Sequence, residues 1–194
     1  MPGGSVVSYL GAAPEIGVVE YGTEWRAGPK PPVPDPPSGS RVLSFDDLSL
    51  WTIPVDQPVV VSTSDKVEGL GSFSIVPTGF KYLESSPISQ ADVAGLRFIS
   101  FGVKVPSLQS NVWWVGAVQI YLDCPSRSVW NQWVGQVELT NLAKDAWQVG
   151  RMPIPEYIAT ALRGATYSDL KVRVAVNLNP GSGNLLLDDL RFEN

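Results

Sequence analysis

The sequence predicts an all-β fold: a jelly-roll β-sandwich of two antiparallel sheets, with one short helix and an extended N-terminal arm. Three observations predict it. From residue 40 onward, short runs rich in Val, Ile, Leu, Phe, Tyr and Trp recur, each bounded by Pro, Gly, Ser or Asn. Several of these runs alternate apolar and polar side chains, the period of a strand with one buried face. Only "PEYIATALRG", residues 155–164, reads as a helix, with Pro155 at its first turn and Gly164 at its stop.

The elements follow in order. Residues 1–39 form the arm, whose two β-like pieces, "SVVSYL" and "IGVVEYG", are too short to hold a core of their own. The arm closes with "GPKPPVPDPPSG", residues 28–39, where six prolines favour an extended, semi-rigid spacer. The body, residues 40–194, places strands near 41–45, 57–63, 71–76, 79–84, 95–105, 112–123, 132–140, 146–152, 169–178 and 184–193. The "GSG" at 181–183 reads as a hairpin turn, since no glycine-rich run opens a helix there.

Alternation then assigns faces. In "NVWWVGAVQIYLDC", Val112, Trp114, Val118, Ile120 and Leu122 form the core row, opposite Trp113, Gln119, Tyr121 and Asp123. In "VWNQWVGQVEL", Trp133, Val137 and Leu139 point inward and Gln132, Gln136 and Glu138 outward, with Trp130 near the start. In "LKVRVAVNLN", Leu170, Val172, Val174, Val176 and Leu178 are core, opposite Lys171, Arg173 and Asn177. Trp114, Trp133 and Trp147 are read as core. The outer rows collect aromatic rings and amides, the groups that stack on pyranose C–H faces and bond sugar hydroxyls with little need for ionised groups. The candidate ligand-binding residues are therefore Trp113, Gln119, Tyr121, Trp130, Gln132, Gln136, Arg173 and Asn177.

The last run, "NLLLDDLRFEN", poses a problem of charge. Simple alternation puts Leu186, Asp188, Leu190 and Phe192 on one face, so a core face made of these residues would contain the Asp188 carboxylate. Burial of an unpaired carboxylate is costly, so something must compensate it.

Composition excludes several classes. The 194 residues carry a net charge of −5 and no strongly basic stretch, which argues against nucleic acid and against an anionic membrane surface as partners. With no histidine and a single cysteine, Cys124, there is no histidine-based acid–base or triad chemistry, no intrachain disulfide and no thiolate metal cluster. Cys124 reads as a small apolar residue at a strand end. No apolar run is long enough for a membrane helix, and the N-terminus has no signal-peptide pattern, which points to a mature fragment or a virion component. "GVVEYGTEW" resembles a glycosidase strand only in passing: Glu20 lies in the arm, and no second carboxylate faces it across a cleft. The chain is read as not an enzyme.

The motifs "VLSFDDLSLWTI", "KVEGLGSFSI", "NLN" and "LLLDDLRF" together resemble a carbohydrate-binding module of the galactose-binding-like jelly-roll type, over about residues 40–194. That resemblance implies a non-catalytic module for a polysaccharide or glycan, and it implies one structural Ca2+ held by Asp46, Glu68, the backbone near Gly71, and Asp188. The residues themselves leave a second solution open, in which backbone N–H groups, Arg191 or Arg41 hold Asp188 without a metal. The expected setting is extracellular or on a particle surface. A purely structural or decoration subunit, of a phage virion or an extracellular filament, is the alternative, with residues 1–39 serving as an inter-subunit latch for a protein partner or for self-assembly.

Overall fold

The computed structural model describes residues 43–93 and 95–194. The expectations for the arm and spacer, including the latch, fall on residues outside this range. Among the described residues the chain forms β1 (Trp51–Thr52), β2 (Val59–Ser62), β3 (Ser72–Ile75), β4 (Gly79–Ser85), β5 (Phe98–Lys104), β6 (Gly116–Cys124) and β7 (Val129–Glu138). It continues with β8 (Trp147–Pro153), α1 (Glu156–Leu162), β9 (Lys171–Leu178) and β10 (Leu185–Glu193). The strands make two five-stranded antiparallel sheets, ordered β1-β4-β9-β6-β7 and β2-β3-β10-β5-β8. This is the expected β-sandwich. The turn at Gly181 carries the chain from β9 to β10, which lie in different sheets, so it is a crossover rather than the expected hairpin.

The core is the layer between the sheets. Leu83, Ile120, Leu122, Val172, Val174 and Val176 enter it from one sheet, and Phe73, Ile75, Ile99, Phe101, Leu187 and Phe192 from the other. Each such fully buried large side chain contributes about 1.5–3 kcal/mol of hydrophobic stabilisation. At one end Phe45 stacks on Trp51 at 4.9 Å and meets Phe73 edge-on at 4.9 Å, while the Trp51 indole N–H donates to the Ser44 carbonyl at 3.1 Å. Phe45 and Trp51 are the aromatic residues of the "FDDLSLWTI" stretch. α1 begins after Pro155, buries Ile158, Ala159 and Leu162, and is followed by Gly164 at φ +65°, a left-handed conformation that favours glycine.

Three irregularities shift side chains from the faces that strict alternation assigns. In β10 the register with β5 breaks between Asp188 and Arg191, and Asp189 takes φ +54°. The extra residue reverses the parity, so Leu185 and Leu187 are core before it and Leu190 and Phe192 after it. Asp188, only 2% exposed, pairs with Gly102 on the outer face of its sheet and is covered there by the 65–71 loop. The carboxylate is buried without entering the sandwich. In β7, Ile120 pairs with Gly135 but Tyr121 pairs with Trp133, leaving Val134 as the extra residue. Trp133 thereby turns outward, against the core reading, and Gln132 shares the inner parity of its partner Leu122. At the start of β6, Gly116 has φ +130°, so Val115 is buried while Val112 and Trp114 are exposed. Residues 112–115 are loop, not strand.

Candidate functional site

The outer face of the β1-β4-β9-β6-β7 sheet is built in layers by its register. Phe80, Asn177, Ala117 and Glu138 lie side by side across β4, β9, β6 and β7. The next layer is Tyr82, Ala175, Gln119 and Gln136, and the third is Glu84, Arg173, Tyr121 and Trp133. Aromatic rings cross these layers from β4 to β7. Phe80 meets Tyr82 edge-on at 5.0 Å, Tyr82 meets Tyr121 at 5.7 Å, and Trp133 stands opposite Tyr121 with 51% of its surface exposed. Ala175, between Tyr82 and Gln119, has the smallest side chain in its layer and forms a low floor between them.

A polar relay runs beside the rings. The Tyr121 hydroxyl donates to Gln119 Oε1 at 3.0 Å, Gln119 Nε2 donates to Gln136 Oε1 at 3.0 Å, and Gln136 Nε2 donates to Glu138 Oε1 at 2.5 Å. Burial and the neighbouring Tyr82 raise the Tyr121 phenol above its ordinary pKa, so it remains a neutral donor. The third layer carries charge. Glu84 accepts from Lys171 Nζ at 2.6 Å and from Arg173 Nε at 2.5 Å, and Arg173 Nη1 also donates to Asn131 Oδ1 at 2.8 Å. Burial pushes the Glu84 carboxyl upward, but the two cations outweigh it and hold the group below its usual range. The face is thus aromatic and amide-rich, and its Glu84 carboxylate is paired with Lys171 and Arg173.

Of the residues named from sequence, Gln119, Tyr121, Gln136, Arg173 and Asn177 come together on this face. Trp113 does not: it stands in the loop before β6, 90% exposed, in an Asn111 turn whose Oδ1 accepts from the Trp113 N–H at 3.0 Å. Trp130 is 61% exposed at the start of β7, and Gln132 turns to α1, where its Oε1 accepts from the Tyr157 hydroxyl at 3.1 Å. Trp147 is half-buried on β8, where its indole N–H donates to Asp65 Oδ1 at 2.8 Å. Phe80, Tyr82, Trp133, Glu84 and Glu138 complete the face. The alternation in "GFKYLES" could have disclosed Phe80, Tyr82 and Glu84, but Lys81 interrupts the inner row. Its ammonium pairs instead with Asp56.

Residues 65–71 form a separate structure. Asp188 Oδ2 accepts the N–H groups of Val67 at 2.6 Å and Glu68 at 3.0 Å, and its Oδ1 accepts that of Asp189 at 2.8 Å. Asp46 Oδ1 accepts from Leu70 N–H at 2.9 Å and Gly71 N–H at 2.7 Å. Gly69, at φ +64°, is required because a Cβ there would lie 2.3 Å from Asp46 Oδ2. Glu68 and Asp189 both reach Arg191. Desolvation raises the Asp188 carboxyl, opposed by its three amide bonds and reinforced by the nearby Asp46 charge. Amide hydrogens bind anions, whereas calcium requires oxygen donors aimed inward. Among the described residues no group of three or more Asp, Glu, Cys or His is placed to hold a metal. In this arrangement the carboxylates of Asp46 and Asp188 accept backbone amides of the 67–71 loop and of Asp189.

No family model matches this sequence, and no curated protein matches it. Solved structures do match its shape. One is a protein studied for the promiscuous specificity of carbohydrate-binding modules of the β-sandwich superfamily, with TM-score 0.52 and 16% identity over 80% of this chain. This chain spans 63% of that one, less than two thirds. A family 61 carbohydrate-binding module in complex with β-1,4-galactotriose gives TM-score 0.49 and 14% identity, over 79% of this chain and 95% of that one. The C-terminal family 22 carbohydrate-binding module of Clostridium thermocellum Xyn10B gives 0.48 and 12%, over 80% and 94%. The fold is that of β-sandwich carbohydrate-binding modules.

Proposed function

We propose that the outer face of the β1-β4-β9-β6-β7 sheet binds a polysaccharide chain and that the protein is a non-catalytic binding module. One observation carries this reading: the aromatic line of exposed Phe80, Tyr82 and Trp133 with half-buried Tyr121 runs across the sheet beside the Gln119, Gln136 and Glu138 amide–carboxylate relay. Aromatic faces stack on sugar rings while amides order the hydroxyls. Against catalysis, Glu84 is neutralised by Lys171 and Arg173 and is a poor candidate for either carboxylate of a hydrolase pair. Affinity electrophoresis in gels containing β-1,4-galactan, xylan or mannan tests the proposal. Retardation by at least one polymer, lost in Tyr82→Ala and Trp133→Ala, supports it. A polysaccharide ligand also suits an extracellular or particle-surface setting, which surface labelling of the source would test. If no polymer is bound, the assignment moves to a structural or decoration subunit.

A further inference from the structure

One end of the sandwich gathers four connections: the β3–β4 turn at Pro77, the β5–β6 loop at Pro106 and Gln109, the turn after β7 at Leu139, and the crossover at Ser182 and Gly183. Among them lies a small cavity, in which the centre of a water-sized sphere can move through about 10 Å3. That is room for one water molecule. Buried Val105, Leu178 and Leu185 form its apolar wall. The cavity shares no residue with the polysaccharide face.

Gln109 brings an amide to this cavity, and only half of the amide is used. Its Nε2 donates to the Pro106 carbonyl at 2.6 Å, which fixes the sense of the group, since the reverse would set two acceptor oxygens against each other. Oε1 is buried and accepts no hydrogen bond; among the described residues it is the one buried side-chain nitrogen or oxygen left without a partner. The wall around it is poor in free donors. Pro77 and Pro106 have no N–H. The N–H of Val115 goes to Thr140 Oγ1 at 3.1 Å, and that of Leu139 to the Gly116 carbonyl at 2.9 Å. Ser182 and Gly183 give theirs to the carbonyls of Asn179 at 3.3 Å and Leu108 at 2.8 Å. The Ser182 hydroxyl is engaged with Ser110, whose N–H it accepts at 3.1 Å and whose hydroxyl lies 3.1 Å away. Buried polar atoms are satisfied in the great majority of cases, by protein or by ordered water.

We propose that this cavity is a binding site for one structural water molecule, which donates to Gln109 Oε1 in place of the missing protein donor. Its second hydrogen goes to an oxygen with a spare lone pair, and the lining residues Pro106 and Ser182 carry such oxygens in a carbonyl and a hydroxyl. A water with two such partners meets the ordinary requirement of a buried one. Gln109 lies four residues before Trp113, so the water belongs to the base of the loop that holds this ring 90% exposed.

Water–methyl NOE and ROE spectroscopy of the full chain tests it. Cross-peaks with the sign of a long-lived bound water are expected at the methyl groups of Val105, Val115 and Leu178, which line the cavity and are at most 5% exposed. Gln109→Met keeps the length of the side chain and removes the acceptor, so in that variant the cross-peaks should fall several-fold or vanish. The wild-type spectrum decides by itself if Gln109→Met fails to fold. The proposal is overturned if the wild-type cross-peaks are absent. Cross-peaks of equal intensity in folded Gln109→Met overturn it as well, because a signal relayed from the Ser182 hydroxyl would survive the substitution.

Discussion

Asp46 and Asp188, distant in sequence, hold opposite ends of the same loop. Asp188 takes the Val67 and Glu68 amides and Asp46 takes those of Leu70 and Gly71, so two carboxylates fix the backbone of residues 67–71 from two sides. Asp188→Ala leaves three amides without their acceptor and is expected to cost about 2–4 kcal/mol in urea unfolding. Gly69→Ala should be destabilising as well, by at least about 1 kcal/mol, from its left-handed backbone and the contact with Asp46. A variant of either kind with unchanged stability would show that the clamp does not hold the loop.

The same geometry sets an expectation for metal removal. Because amide hydrogens face both carboxylates, the melting temperature should be the same in chelator and in millimolar calcium. A rise of several degrees with calcium would be the linkage signature of a cation bound only by the folded state, and would require the loop to rearrange.

On the proposed polysaccharide face, single truncations separate the rings that matter from those that do not. Tyr82→Ala and Trp133→Ala should weaken polymer binding about 10- to 100-fold, in line with loss of one stacking partner. Gln132→Ala should have no effect, since its side chain is engaged with Tyr157. Binding constants from titration calorimetry check all three. Strong loss in Gln132→Ala with none in Trp133→Ala would place the ligand elsewhere.

Glu84 ties this face to pH. Lys171 and Arg173 hold its carboxyl below the ordinary value of 4.5, against burial. A group whose pKa is lowered on folding contributes stability above its unfolded pKa, and that contribution is lost as pH falls through the folded value. Glu84→Gln should therefore cost about 1–3 kcal/mol at pH 7, and the deficit should shrink progressively below about pH 4.5. Unfolding curves at pH 7 and at pH 3 compare the two. A deficit of equal size at both would show that pairing with the cations is not its source.

The strand positions and half of the face were legible because period-2 alternation is written directly in the residues: Gln119, Tyr121, Arg173 and Asn177 follow from Val118, Ile120, Val172, Val174 and Val176. Bulges are where that reading failed. Val134 and Asp189 each add one residue that carries no compositional mark, and each reverses the faces beyond it. Strict alternation thus puts Trp133 in the core and Asp188 in a row facing inward. A positive φ at Asp189, an aspartate rather than a glycine, gives no warning in sequence.

The relay from Tyr121 to Glu138 has one further implication. A carboxylate can only accept, so Glu138 fixes the sense of Gln136, which fixes Gln119, which in turn obliges the Tyr121 hydroxyl to give away its proton. The lone pairs left at the phenolic oxygen and at Glu138 are acceptors, open to an incoming donor and, at Tyr121, to the neighbouring Tyr82 hydroxyl. On the proposed polysaccharide face, methyl ethers in place of hydroxyls at these two points should therefore weaken binding, because they bring no proton to the waiting acceptors.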